Sequence, residues 1–88
     1  MSTIIKTENK FCHVVENKDG KFYYVFSGNP LEAGYQTWVC EAEKGQFDYY
    51  TDWDEIYVEK HKDMKELEYR HLYVARNIEE VLEKGADV

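Results

Sequence analysis

Proline occurs once in these 88 residues, cysteine twice and glycine five times, and Lys plus Arg number 11 against 18 Asp plus Glu. Each scarcity closes a class of protein. Two cysteines, Cys12 and Cys40, do not make a disulfide framework, so the thiols are expected to be reduced, as in an intracellular protein. The longest basic stretch, 59–65 (EKHKDMK), is broken by Glu59 and Asp63. With a net charge of −7 and no Lys/Arg cluster to displace counterions, direct binding to nucleic acid is not expected, nor is binding to an anionic membrane. No apolar run approaches the roughly 20 residues that span a bilayer. The opening MSTIIKTENK lacks the apolar core of a signal peptide. The expectation is a soluble, cytoplasmic protein.

Chemistry-bearing motifs are equally scarce. His13, His61 and His71 have no Cys or His partner at zinc-ligand spacing. The aspartates of 48–54 lack the glycine turn and the alternating oxygen ligands of a calcium loop. No phosphate-cradling glycine pattern and no nucleophile elbow occur. A Cys–His nucleophile pair would require Cys40 to meet His13 or His71 across the fold; a small buried thiol and packed core imidazoles are the plainer reading. No catalytic residue, metal site or cofactor is therefore assigned, and the protein is read as a non-enzyme.

Aromatics are what the chain has in plenty: eight Tyr, four Phe and two Trp. A chain this short buries only about two thirds of its unfolded surface, and large rings compensate. Residues 1–88 read as one domain. The segment 10–16 (KFCHVVE) alternates as a strand, with Phe11, His13 and Val15 on one side and Cys12 and Val14 on the other. The loop 17–20 (NKDG) and a second strand at 21–27 complete a hairpin signal. A loop at 28–34, punctuated by Gly28, Pro30 and Gly34, leads to a third strand at 35–43. Gly45 turns the chain into a fourth at 46–53, and 55–60 reads as a further strand.

Residues 63–85 fit two descriptions. Met64, Leu67, His71, Val74, Ile78 and Val81 follow helical three-four spacing. Alternatively, 66–75 is a strand and Asn77 caps a short helix that ends at Gly85. The aromatic and β-branched residues at 69–74 favour the second. The expected fold is α+β: an antiparallel meander of four to five strands with a C-terminal helix on one face. Ile78, Val81 and Leu82 would pack against a core of Phe11 or Val14, Phe22, Tyr24, Phe26, Trp38, Cys40, Phe47, Tyr49 and Trp53.

The stretch 47–55 (FDYYTDWDE) interleaves four acids with four aromatics and contains no cation. As a strand it sends Phe47, Tyr49, Thr51 and Trp53 to one face and Asp48, Tyr50, Asp52 and Asp54 to the other. Successive carboxylates would stand about 6.5–7 Å apart, against a phosphate repeat of about 3.4 Å along one DNA strand. Glu41 and Glu43 would thicken the row if their strand lies beside it. Such a row is either the solvated face of a sheet or a docking surface. Surfaces shaped only for solubility mix charge signs, which favours docking by a basic, nucleic-acid-binding protein steered by opposite potential. The partner-binding set is then Asp48, Tyr50, Asp52, Asp54 and Glu55 with Glu41 and Glu43. Short, acidic, aromatic and free of catalytic motifs, the chain resembles in composition small inhibitor and adaptor proteins of phages and mobile elements, some of which mimic DNA; no motif identifies a family. The alternative is a homo-oligomer that sequesters a nucleotide-like ligand with its tyrosines and Lys21, Arg70 or Arg76.

Overall fold

The computed structural model describes residues 2–30 and 34–85. Among these residues six strands and two helices follow in the order β1 (Thr3–Asn9), β2 (Cys12–Glu16), β3 (Phe22–Gly28), β4 (Tyr35–Lys44), β5 (Tyr49–Tyr50), β6 (Glu55–His61), α1 (Met64–Arg76) and α2 (Ile78–Lys84). All pairings are antiparallel. The sheet runs β1-β2-β3-β4, and the far side of β4 is shared by β5 and β6. The architecture is α+β, a curled antiparallel sheet with helices on one face. Among the described residues no helix is long and apolar enough to cross a membrane.

The β2–β3 hairpin forms where the sequence signalled it. Asn17 Oδ1 accepts from the amides of Asp19 and Lys21, and Gly20 supplies the left-handed residue, φ 82°, that other side chains resist. Strand β1 had no counterpart in the sequence reading. Its two isoleucines are adjacent and so do not alternate, and register shifts occur at Ile4/Lys6 and Thr7/Asn9. As neighbours in a strand Ile4 and Ile5 face opposite ways and join different cores, and the first shift sets Lys6 opposite Val14. The loop 28–34 falls partly outside the described residues.

Residues 64–76 are helical, and the favoured strand at 66–75 is overturned. Asp63 caps α1, its side chain accepting from Glu66 N at 2.9 Å, as in an Asp-x-x-Glu capping box. Leu67, His71, Val74 and Ala75 form the buried stripe. The aromatic cluster that suggested a strand lies largely on the wet side, with Tyr69 exposed. Asn77 breaks the helix, but its side chain does not cap α2; it donates back to the carbonyl of Tyr73. The cap comes from the other end of the chain. Ser2 Oγ accepts from Ile78 N at 3.0 Å and donates to the Ala75 carbonyl at 2.6 Å, satisfying groups that the break leaves orphaned.

The sheet buries both faces. Under the helices, Val15, Tyr23, Val25, Val39 and Tyr57 meet Val74, Ala75, Ile78 and Val81; burying each aliphatic side chain contributes about 1.5–3 kcal/mol. Of the core expected beneath the helix, Phe22, Tyr24, Phe26 and Cys40 instead sit on the opposite face with Val14, Ala42, Cys12 and Tyr49. The curl serves this second core. Lys6 on β1 reaches Asp48 beyond the end of β4, and the Tyr24 hydroxyl donates to the Tyr49 carbonyl at 3.3 Å. Phe47 leaves the expected core altogether. It sits in the 45–48 turn, closed by Gly45 N donating to the Asp48 carbonyl at 2.7 Å, and is 90 % exposed.

Candidate partner-binding surface

The expected fourth strand, 46–53, shrinks to Tyr49–Tyr50. Register explains why. Tyr50 opposes Glu43 on β4, and Glu55 opposes Cys40. Four residues, 51–54, therefore stand against only Glu41 and Ala42, and they bulge out of the ladder. A further shift between Val39 and Cys40 leaves Ile56 as an extra residue on β6. The chain that approaches β4 through β5 and β6 is one long strand interrupted in its middle.

Rings account for the interruption. Trp53 adopts φ 63°, a left-handed conformation unfavourable for a bulky residue. In return its ring lies 5.5 Å from Tyr24 and 5.4 Å, edge-on, from Phe26, which stacks on Trp38 at 5.0 Å. Trp53 thus lids the second core while remaining 57 % exposed, so it is not the core residue that alternation suggested. The bulge is held locally: Thr51 Oγ1 accepts from Trp53 N, and Asp52 Oδ1 accepts from Asp54 N.

The straight ridge of Asp48, Asp52 and Asp54 therefore does not form. Asp48 is clasped by Lys6, whose hydrogen bond holds its carboxyl below the usual range. Lys6 also contacts Glu8 at 3.1 Å. Glu41 lies 3.5 Å from Lys21. The other four acids of the set differ. Among the described residues, Glu43, Asp52, Asp54 and Glu55 have no ion-pair partner. Three of them converge on one thiol. Cys40 is pushed up to about 11, first by burial and then by the negative charge of Glu55, with Asp52 and Asp54 adding to it and a Thr51 hydrogen bond opposing. All three charges therefore oppose ionisation of the same buried thiol.

Beside this bend lies an open cleft of about 680 Å³ lined by Lys21, Phe22, Glu41, Glu43, Tyr50 and Asp52, among others. Lys21 and Lys44 contribute positive charge to it, but Lys21 already faces Glu41. Tyr50 is 59 % exposed and its ring covers Gly45, where a Cβ would fall 1.9 Å from the ring. Four of the seven residues singled out in sequence, Glu41, Glu43, Tyr50 and Asp52, thus line one cleft, and Asp54 lies two positions beyond Asp52 in the same bulge. Glu55 enters β6, and Asp48 turns away to β1.

Of the cations considered for a small ligand, Arg70 is engaged by Glu59 through three contacts of 3.0–3.2 Å and lies over the Tyr73 ring. Arg76 borders a depression of about 290 Å³ with Tyr69, Leu72, Tyr73 and Asn77. The cysteines and histidines do not meet: Cys12 and Cys40 belong to the second core, whereas His13 and His71 join beneath α1. Among the described residues no group of three or more His, Cys, Asp or Glu is placed to hold a metal ion.

The histidines, ordinary one at a time in the sequence, are joined in the fold. His13 Nδ1 lies 2.7 Å from His71 Nε2; His71 Nδ1 lies 2.6 Å from Ser27 Oγ. Ser27 contacts Thr37 Oγ1 at 2.7 Å, and Thr37 contacts His61 Nε2 at 2.8 Å. The Glu66 carboxylate, 3.7 Å from His61 Nδ1, orients the chain: with the His61 proton facing it, each link donates from His13 towards His61. The available signal was parity, since His13 shares its face with Val15 and His71 shares the helical stripe. Comparison with protein families, curated proteins and solved structures finds no match to this chain.

Proposed function

We propose that this is a small non-enzymatic interaction protein of the cytoplasm that occupies, and so blocks, a basic groove on a nucleic-acid-binding protein. The observation that carries this reading is the group Glu43, Asp52, Asp54 and Glu55: four carboxylates without a cation partner among the described residues, next to the exposed ring of Tyr50. Unpaired acids clustered on one bend attract Lys and Arg at long range, and their charge is not cancelled locally. An exposed tyrosine supplies the rigid apolar contact that interfaces favour.

The test is capture from the native cell by immobilised protein at low and high salt, with wild type and Glu43→Gln/Asp52→Asn/Asp54→Asn compared. A basic protein retained at low salt, released at high salt, displaced by duplex DNA and lost with the triple variant is the expected result. Retention of the same proteins by the triple variant refutes the reading.

A further inference from the structure

The sheet has two edges, and they are finished differently. Strand β1 carries two register shifts and Lys6, devices that discourage a further strand from pairing. Strand β6 has one shift, at Ile56 near its start, and then bonds to β4 on one side in unbroken register from Tyr57 to His61. No strand among the described residues pairs with its other side. Ile56 and Val58 beside that edge are 46 % and 40 % exposed.

Charge along the edge is polarised. Asp52, Asp54 and Glu55 stand at its start, and Lys60 and Lys62 at its end. Neither lysine has an ion-pair partner among the described residues. A strand acidic at one end and basic at the other complements itself when reversed. We propose that β6 pairs antiparallel with β6 of a second copy, across a two-fold axis at Val58. In such an isologous contact each copy supplies both halves. Asp54 and Glu55 of each chain come to the Lys60–Lys62 end of the other, and the Ile56 side chain lies along the aliphatic stem of Lys60 of the second copy.

The apolar face supports this register. Directly opposed residues of antiparallel strands point to the same side of a sheet, so Val58 against Val58 keeps both helix layers on one side. Phe26 pairs with Trp38, and Trp38 with Val58. The row Phe26–Trp38–Val58 then continues through the axis into its own reverse. Backbone pairing and this row supply the attachment, and the polarised ends set its direction. This inference does not rest on the basic-partner reading; it competes with it for Asp54 and Glu55 and leaves Glu43 and Asp52 to a basic partner of the dimer.

Sedimentation equilibrium over a wide concentration range tests it. Wild type is expected to follow a monomer–dimer equilibrium, and Val58→Lys to raise the dissociation constant about tenfold or more with an unchanged circular dichroism spectrum. Lys60→Glu/Lys62→Glu and Asp54→Lys/Glu55→Lys are each expected to be monomeric alone and to form a one-to-one heterodimer when mixed. A wild type that stays monomeric throughout overturns the proposal. So does a dimer unaffected by Val58→Lys, or a pair of charge variants that fails to associate on mixing. Val58→Lys leaves Glu43, Asp52 and Asp54 in place, so loss of dimer with retained partner capture separates the two readings.

Discussion

Acidification is expected to loosen this protein through the histidines beneath α1. His71 is 1 % exposed, and its pKa falls from the ordinary 6.5 to about 4, chiefly through burial and then through the neighbouring His13 and His61. Burial also lowers His13. Both groups are thus held neutral in the fold and take up protons more readily when unfolded. Between pH 6.5 and 4 the unfolded chain binds the extra proton, so stability rises with pH across that window. It is fully present above the unfolded value of 6.5 and is lost as pH falls towards the folded value. For His71 the loss amounts to about 2 kcal/mol by pH 5 and about 3 kcal/mol at saturation. A domain of this length has a total stability on the order of 4–13 kcal/mol, so the loss is a large fraction of the whole.

Urea unfolding followed by circular dichroism at about pH 7.5, 6.5, 5.5 and 5 measures this directly, since the midpoint tracks stability when the slope is constant. The carboxylates with lowered values, Asp48, Glu79 and Glu80, start from ordinary values of 3.8 to 4.5, so their own loss of stability begins only near the lowest pH sampled. His71→Gln keeps a donor and an acceptor but cannot charge. It is expected to be less stable than wild type at pH 7.5 and to show a shallower fall towards pH 5. A wild-type midpoint flat from pH 7.5 to 5, or a slope unchanged by His71→Gln, refutes the reasoning.

Asp63→Ala removes the α1 cap to Glu66 N and should cost about 1 kcal/mol in urea unfolding, with Asp63→Asn largely neutral. Leu67→Ala, at a fully buried site, should cost about 2–5 kcal/mol, whereas Phe47→Ala at the exposed turn should change stability by less than about 0.5 kcal/mol. Gly45→Ala must displace the Tyr50 ring; it should alter Tyr50 fluorescence or aromatic proton shifts and weaken partner capture, with a smaller loss of stability than Leu67→Ala.

How much of this was legible follows from how local each signal is. The β2–β3 hairpin is written in one contiguous stretch, 10–27, and structure and sequence agree there. Strand β1 is specified by pairing with β2 and by Ser2 reaching the break at Asn77, contacts more than 70 positions apart in the second case, which no window along the chain contains. At α1 the aromatic and β-branched content of 69–74 outweighs the three-four spacing of Met64, Leu67, His71 and Val74 in the sequence, although the exposed side of a helix tolerates tyrosines; the Asp63 cap is a signal that spacing alone does not include.

The acidic stretch shows the limit most clearly. Alternation predicts a straight row because it assumes that 46–53 pairs with β4 residue for residue. The second core overrides that assumption: Trp53 turns towards Tyr24 and Phe26, and 51–54 leaves the ladder to allow it. An ideal strand would hold Asp52 and Asp54 about 7 Å apart on one side and send Glu55 to the opposite side. Here Glu55 is the ladder partner of Cys40, and Asp52 and Asp54 add their charge from the bulge before it. The departure from strand geometry, driven by an aromatic ring, therefore places Asp52 and Asp54 in the bulge that leads into Glu55 and not in a straight row with Asp48.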